Sequence, residues 1–265
     1  MPSFWEARCE QRAELVAFVK ERSGIDRLAE RQSRPIIEAA SRVFDPDVLT
    51  VGFARRNATY KRLGLLIRDP ERAINLLSGP QPIQLVLAGK AHPSDEEAKR
   101  VVQDLYRMKD VPHAAERAVY LHEYDLAMGK MLVRGCDLWL NLPRPPLEAS
   151  GTSGMKAVIN GGLNLSVLDG WWAEAYDGTN GWALPGEASH DAWTQDARDA
   201  GTLYRLLEQE VVPAFYDRDG DGLPPAGLTR VRASLRTLAP AFTAGRMLGD
   251  YVERMYAPDS ELARA

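Results

Sequence analysis

Short, almost wholly apolar runs alternate with longer charged stretches through the first part of the 265-residue chain, and no other feature constrains the fold so strongly. The runs are Leu49–Ala54, Ile83–Ala88, Ala118–Leu121 and Leu138–Leu142. Between them lie Tyr60–Ile67, Asp95–Met108 and Leu126–Val133, whose apolar residues recur at helical spacing. Continuous apolar strands alternating with amphipathic helices predict βαβ units, and so an α/β fold with a parallel sheet covered by helices on both faces. Sheets of this kind take ligands at the carboxyl ends of their strands. The loops Ala54–Thr59, Gly89–Ser94, Glu123–Asp125 and Pro143–Met155 are therefore where chemistry is expected.

Helices flank this region. The first is predicted from a capping box, Ser3 with Glu6, to a stop at Gly24. A polar connection, Asp26–Arg34, leads to a second short helix over Pro35–Val43. The last third reads as helical over Thr202–Phe215, Leu228–Leu238 and Arg246–Met255, with a boundary near Asp191–Gly201. Three segments follow: an N-terminal helical segment (1–46), an α/β ligand-binding domain (47–190) and a helical C-terminal segment (191–265) packed on it.

The formal net charge of −4 argues against broad nucleic-acid binding, which uses a basic stripe. No window approaches the ~18 consecutive apolar residues of a membrane span. Met1–Glu10 is charged and carries no leader pattern, so a cytoplasmic location is expected. The two cysteines, Cys9 and Cys136, read as thiols in a reducing compartment.

Two stretches carry the chemistry. The first is Glu148-Ala149-Ser150-Gly151-Thr152-Ser153-Gly154-Met155-Lys156, a glycine- and hydroxyl-rich turn running into a helix. Unpaired N–H groups and the dipole at a helix start favour an anion, and glycine lets the backbone approach it. Lys156, one turn in, suits either a direct phosphate contact or a Schiff base with pyridoxal phosphate. The alternative is a well-capped surface helix with a solvated lysine. The second stretch is Arg55-Arg56-Asn57-Ala58-Thr59-Tyr60-Lys61-Arg62, four cations directly after an apolar run. Cations at a helix start oppose the dipole unless an anion neutralises them; a solvated basic turn is the alternative. His92 and His122 read as structural histidines, and Asp217–Gly222 as a turn lacking the acidic residue that completes a calcium loop. Trp171 and Trp172 suit sugar stacking or packing at the sheet edge.

The turn EASGTSGMK together with GFARRNATYKR resembles the α-glucan phosphorylase family in its short bacterial and archaeal form. Gly89-Lys90-Ala91-His92-Pro93, Ser166–Gly181 and Val211–Asp219 agree, so the resemblance runs from about Phe4 to Pro258. It implies the second, Rossmann-like half of a type-B glycosyltransferase architecture and a pyridoxal-phosphate-binding domain over 47–190. It also implies phosphorolysis of α-1,4-glucan to glucose 1-phosphate. On the matched motifs, Lys156 carries the cofactor. Arg55, Lys61, Gly151, Thr152 and Ser153 surround its phosphate, and Tyr124 lies beside its ring. Arg56 and Lys61 grip inorganic phosphate, which makes Arg56, Lys61 and Lys156 the implied catalytic residues. Glu148, Ala149, Ser150 and Gly151 contact the transferred glucose, and no metal is implied. The long eukaryotic enzymes differ: Gly-Asn in place of Ser153-Gly154, lysine in place of Arg55, and a basic residue where Asp125 follows Tyr124. A missing N-terminal half, or self-association, is the expected protein partner, and the chain by itself is expected to be weakly active. A non-catalytic cofactor- or glucan-binding module and a nucleotide-sugar glycosyltransferase half are the rival readings.

Overall fold

A computed structural model describes residues 2–29, 31, 34, 44–56, 58–107 and 117–256. The helix expected over Pro35–Val43, and Asn57 of the basic stretch, lie outside these residues. Among the described residues six parallel strands form one sheet: β1 (Leu49–Ala54), β2 (Ile83–Ala88), β3 (Ala118–Leu121), β4 (Leu138–Asn141), β5 (Leu163–Val167) and β6 (Trp182–Leu184). Their order is β3-β2-β1-β4-β5-β6, with β1 paired to both β2 and β4. The chain thus builds outward from β1 in one direction, then crosses back and builds in the other. The reversal lies between β1 and β4, where the loops leaving adjacent strands diverge and open a crevice.

The central strands β2, β1, β4 and β5 are buried on both faces. On one face, Val51, Phe53, Leu85, Leu140 and Leu165 join Leu203, Leu207 and Phe215 in the larger core. On the other, Val86, Leu121, Met128, Leu132 and Trp139 pack with Leu15, Val16 and Val19 of α1 (Pro2–Ala29). Further helices among the described residues are α2 (Pro70–Ser78), α3 (Glu96–Arg107), α4 (Leu126–Gly135), α5 (Thr152–Ile159), α6 (Trp171–Ala175), α7 (Ala192–Leu206), α8 (Val212–Tyr216), α9 (Pro225–Ala241) and α10 (Ala244–Tyr251). A π-helical turn, Leu207–Val211, joins α7 to α8. Among the described residues no helix is long and apolar enough to cross a membrane.

Helix α1 passes the expected stop at Gly24. A helical glycine costs only about 1 kcal/mol, and the next turn is held by an Arg22–Asp26 ion pair at 3.3 Å. Its N-terminal half is anchored under the sheet by two buried arginines. Arg8 donates to the carbonyls of Arg134, Cys136 and Asn160, and Arg12 pairs with Asp137 at 2.7 Å. The segment Tyr60–Ile67 is not one helix but two 3₁₀ turns, Thr59–Lys61 and Leu63–Ile67, broken at Arg62 with φ 49°.

Candidate active site

The two motifs singled out in the sequence meet at the topological reversal. Arg55 is the first residue after β1, and its N–H donates to the carbonyl of Ala88, extending the β1–β2 ladder by one bond. Its guanidinium spans the crevice toward the loop after β4, donating to Glu148 Oε2 at 3.2 Å and to Asn141 Oδ1 at 2.5 Å. Lys61 Nζ donates to the same Glu148 oxygen. One carboxylate therefore faces two largely buried cations. Burial pushes the Arg55 guanidinium below its ordinary range, although Glu148, Tyr60 and Tyr124 pull it up. Two cations thus share one internal carboxylate in the crevice.

The turn that supplies Glu148 is fixed from below. Its N–H donates to Asp169 Oδ2 and the Gly170 N–H donates to Asp169 Oδ1, both at 2.9 Å, so each oxygen of that carboxylate accepts a backbone bond. The Trp171 N–H donates to the carbonyl of Ser150. Gly151 precedes α5 at φ 88°, a left-handed conformation that glycine adopts without strain. A Cβ on Gly151 would also come within 3.2 Å of Trp171 Cδ1. Gly154 is tighter still: a Cβ there would lie 2.8 Å from Asn164 Oδ1 and 2.9 Å from Asn141 Nδ2. The first turn of α5 is thereby seated directly on the sheet.

Ser153 links the anion site to a second pocket. Its hydroxyl accepts from Trp139 Nε1 at 3.2 Å and donates to Asn141 Oδ1 at 3.5 Å. It also lines an open cavity of about 540 Å³ with Tyr124, Gly129, Lys130 and Lys156. Lys156 is exposed and lines that cavity, and among the described residues no partner is found for its ammonium. Burial raises the Tyr124 phenol above its ordinary range, while nearby Arg55 pulls it down. Gly129 accommodates Tyr124, whose hydroxyl would be 2.9 Å from a Cβ at that position. On the other side of Lys61, a cavity of about 170 Å³ is lined by Thr59, Arg62, Arg144 and Asp196. A small apolar cavity lies far from these groups, between α1 and α9 at the amino ends of the strands.

Arg55, Lys61, Glu148 and Ser153 are thus drawn together around shared partners, with Tyr124 and Lys156 in the adjoining cavity. Ser150 and Gly151 are part-buried in the turn, whereas Ala149, Thr152 and Arg56 are exposed. Asp125 caps α4, accepting from the Met128 N–H at 2.8 Å. His92 accepts from the Ser94 N–H on an exposed loop, and Asp219 accepts two N–H groups of its own turn. Trp171 and Trp172 are buried against Val158 and Leu238, so they pack rather than present a stacking face. Asn141 and Asn164 belong to the site and were not singled out in the sequence. Asparagine is depleted in strands, so an asparagine inside each of the runs LWLN and LNLSV was the available signal.

The sequence family described as carbohydrate phosphorylase matches residues 64–179. A glycogen phosphorylase of Mycobacterium tuberculosis is 47% identical over 262 residues, 98% of this chain and 30% of that protein. A glycogen phosphorylase of Aquifex aeolicus is 40% identical over 96% of the chain and 36% of its own length. A maltodextrin phosphorylase of Thermococcus litoralis is 39% identical over 96% of the chain and 30% of its own length. The chain spans about a third of the length of these relatives and aligns with their C-terminal part.

Proposed function

The chain belongs to the carbohydrate phosphorylase family, and on that premise we propose that it is the cofactor-carrying part of an α-glucan phosphorylase. The reaction is phosphorolysis of an α-1,4-glucan to glucose 1-phosphate. The observation that carries this reading is the convergence of Arg55, Lys61 and Ser153 on one anion site beside the cavity of Lys156 and Tyr124.

The residues fit pyridoxal phosphate. The cavity offers an exposed lysine, without a partner among the described residues, and a tyrosine in the same lining. Arg55 Nε is buried and has no partner among the described residues, a donor in want of an acceptor. Lys156 would hold the cofactor covalently, Tyr124 would flank its ring, and Arg55, Lys61, Thr152, Ser153 and the Gly151 backbone would hold its phosphate. When bound, the cofactor supplies a phosphate that exchanges a proton with inorganic phosphate. The chain's own groups do the rest. Arg55 and Lys61 offset the repulsion between two phosphates brought close, and preorganised charge of this kind is usually a leading catalytic contribution. Arg56, exposed beside Arg55, reaches toward inorganic phosphate. Glu148, Ala149, Ser150 and Gly151 bind hydroxyls of the transferred glucose.

A glycosidase reading is disfavoured because it needs two free carboxyl groups flanking the bond. Glu148 is committed to two cations, and both oxygens of Asp169 to backbone N–H groups. In a nucleotide-sugar transferase half the same lysine would contact a diphosphate and would form no covalent bond with pyridoxal phosphate. The open side of the site is covered, in this reading, by a polypeptide corresponding to the remainder of the relatives, or by a second copy of the chain.

The test is to add pyridoxal phosphate, reduce with borohydride and map the labelled peptide by mass spectrometry. A label on Lys156 is expected; a label elsewhere with Lys156 free removes the assignment.

A further inference from the structure

We propose that Asn141 is the positioning residue of the anion site: a neutral amide that aims the Arg55 guanidinium without cancelling its charge, and is itself oriented by Asn164. The inference rests on the reading of this site as a phosphate cradle.

Asn141 ends β4 and Asn164 lies within β5, one diagonal step away on the same sheet face, in the register that pairs Trp139 with Asn164. Both side chains are essentially inaccessible. Two amides buried among apolar strand residues are costly unless their hydrogen bonds are made. Arginine has donors only, so Asn141 must turn its oxygen to Arg55 and its nitrogen away. That nitrogen donates to Asn164 Oδ1 at 3.1 Å. The same Asn141 oxygen accepts from Ser153, so one amide sets both Arg55 and a hydroxyl at the start of α5. Gly154 rests on the amide pair with no room for a side chain, which fixes the height of that turn above the strands.

The choice of an amide has an electrostatic consequence. Arg55 already faces one carboxylate, Glu148. A second at position 141 would hold the guanidinium in the same direction but leave little net charge for a phosphate. Asparagine supplies the aim alone. Asn164 Nδ2 is buried and has no partner among the described residues, so turning the Asn164 amide would let it donate to a carboxylate at position 141. Asn141→Asp can therefore fold with little rearrangement, which separates charge from geometry.

The experiment measures affinities of the intact chain for pyridoxal phosphate and for pyridoxal, by absorbance titration, in wild type, Asn141→Asp and Asn141→Leu. Melting curves check that each variant is folded. Wild type should prefer the phosphorylated compound. Asn141→Asp should keep its melting temperature and its affinity for pyridoxal, yet lose about tenfold or more in affinity for pyridoxal phosphate, the scale of one charge-assisted hydrogen bond. Asn141→Leu should lose the same preference through disorder of Arg55. A folded Asn141→Asp chain with the wild-type preference overturns the proposal, because a merely structural acceptor is retained in that variant. If wild type shows no preference, the cofactor reading fails separately. Binding of inorganic phosphate, followed by phosphorus NMR, then decides the matter: weaker binding by Asn141→Asp supports the role of Asn141, and equal binding overturns it.

Discussion

Glu148 sits between the two cations proposed to hold a phosphate. It is about one-tenth exposed and takes the charges of both Arg55 and Lys61. A buried cation pair without a counter-ion is expensive, so the internal carboxylate stabilises the site until an anion replaces it. The two then compete, and Glu148→Gln should bind inorganic phosphate more tightly. Hydrogen bonds to charged groups are worth about 1.5–3 kcal/mol, which sets the gain at roughly ten- to a hundredfold. Calorimetric titration with phosphate checks it, and unchanged or weaker binding by the variant would remove the stand-in role. The charged members of the site were legible in the sequence because cations cluster after an apolar run, a pattern that suits an anion site or a solvated turn, and the resemblance of both motifs to the phosphorylase family chose between them. Asn141 and Asn164 were not, because an apolar run hides a polar residue whose partner lies 23 positions away.

At the scale of elements, Arg62 shows why a helical pattern can fail. Its apolar neighbours Leu63, Leu65 and Leu66 are buried, as an amphipathic helix over Tyr60–Ile67 would have them. Arg62, however, is drawn inward, donating to the carbonyls of Leu142 and Pro143 and to Asp199 at 2.7 Å. It reaches them only by turning left-handed, which splits the segment in two. The pairing ties the loops after β1 and β4 to α7, and so holds Lys61 against Glu148. Asp199 is fully buried, and Arg62→Leu would leave it only the part-exposed Arg198 at 3.3 Å, a loss at the lower end of the about 3–5 kcal/mol that breaking a buried pair costs. Urea unfolding measures this, with Arg62→Leu/Asp199→Leu expected to recover part of the loss; a single variant within about 1 kcal/mol of wild type would contradict it. Strands β1 to β3 coincide with their apolar runs and β4 ends one residue early. Strands β5 and β6 escaped, one because Asn164 and Ser166 interrupt its apolar pattern and the other because three residues carry too little pattern. Helix α2, short and opened by an Asp69 cap before Pro70, escaped for the same reason.

On the scale of the whole molecule, the site lies open. Leu126 and Ile159 flank the Lys156 cavity and are 92% and 50% exposed. Helix α10 buries none of its residues, and Met247, Leu248 and Tyr251 stand exposed along it. On the proposed reading, the apolar surface beside the Lys156 cavity belongs to a cleft whose other wall a second polypeptide supplies. A single wall orients a cofactor phosphate but excludes no water and holds no glucan chain in line. Positioning contributes up to about 7–11 kcal/mol to such reactions, so forfeiting even a third of it costs about two orders of magnitude in rate. The chain alone should therefore phosphorolyse maltodextrin poorly while still taking up pyridoxal phosphate, since Lys156, Ser153, Arg55 and Lys61 all belong to it. Adding a separately expressed polypeptide corresponding to the rest of a relative should raise glucose 1-phosphate formation by about a hundredfold or more. The comparison needs equal cofactor loading in both samples, so that a difference in rate reports the second wall and not occupancy of the first. Turnover by the chain alone at the rate of the mixture would mean that this wall suffices, and the reading of it as one side of a two-part cleft would fall.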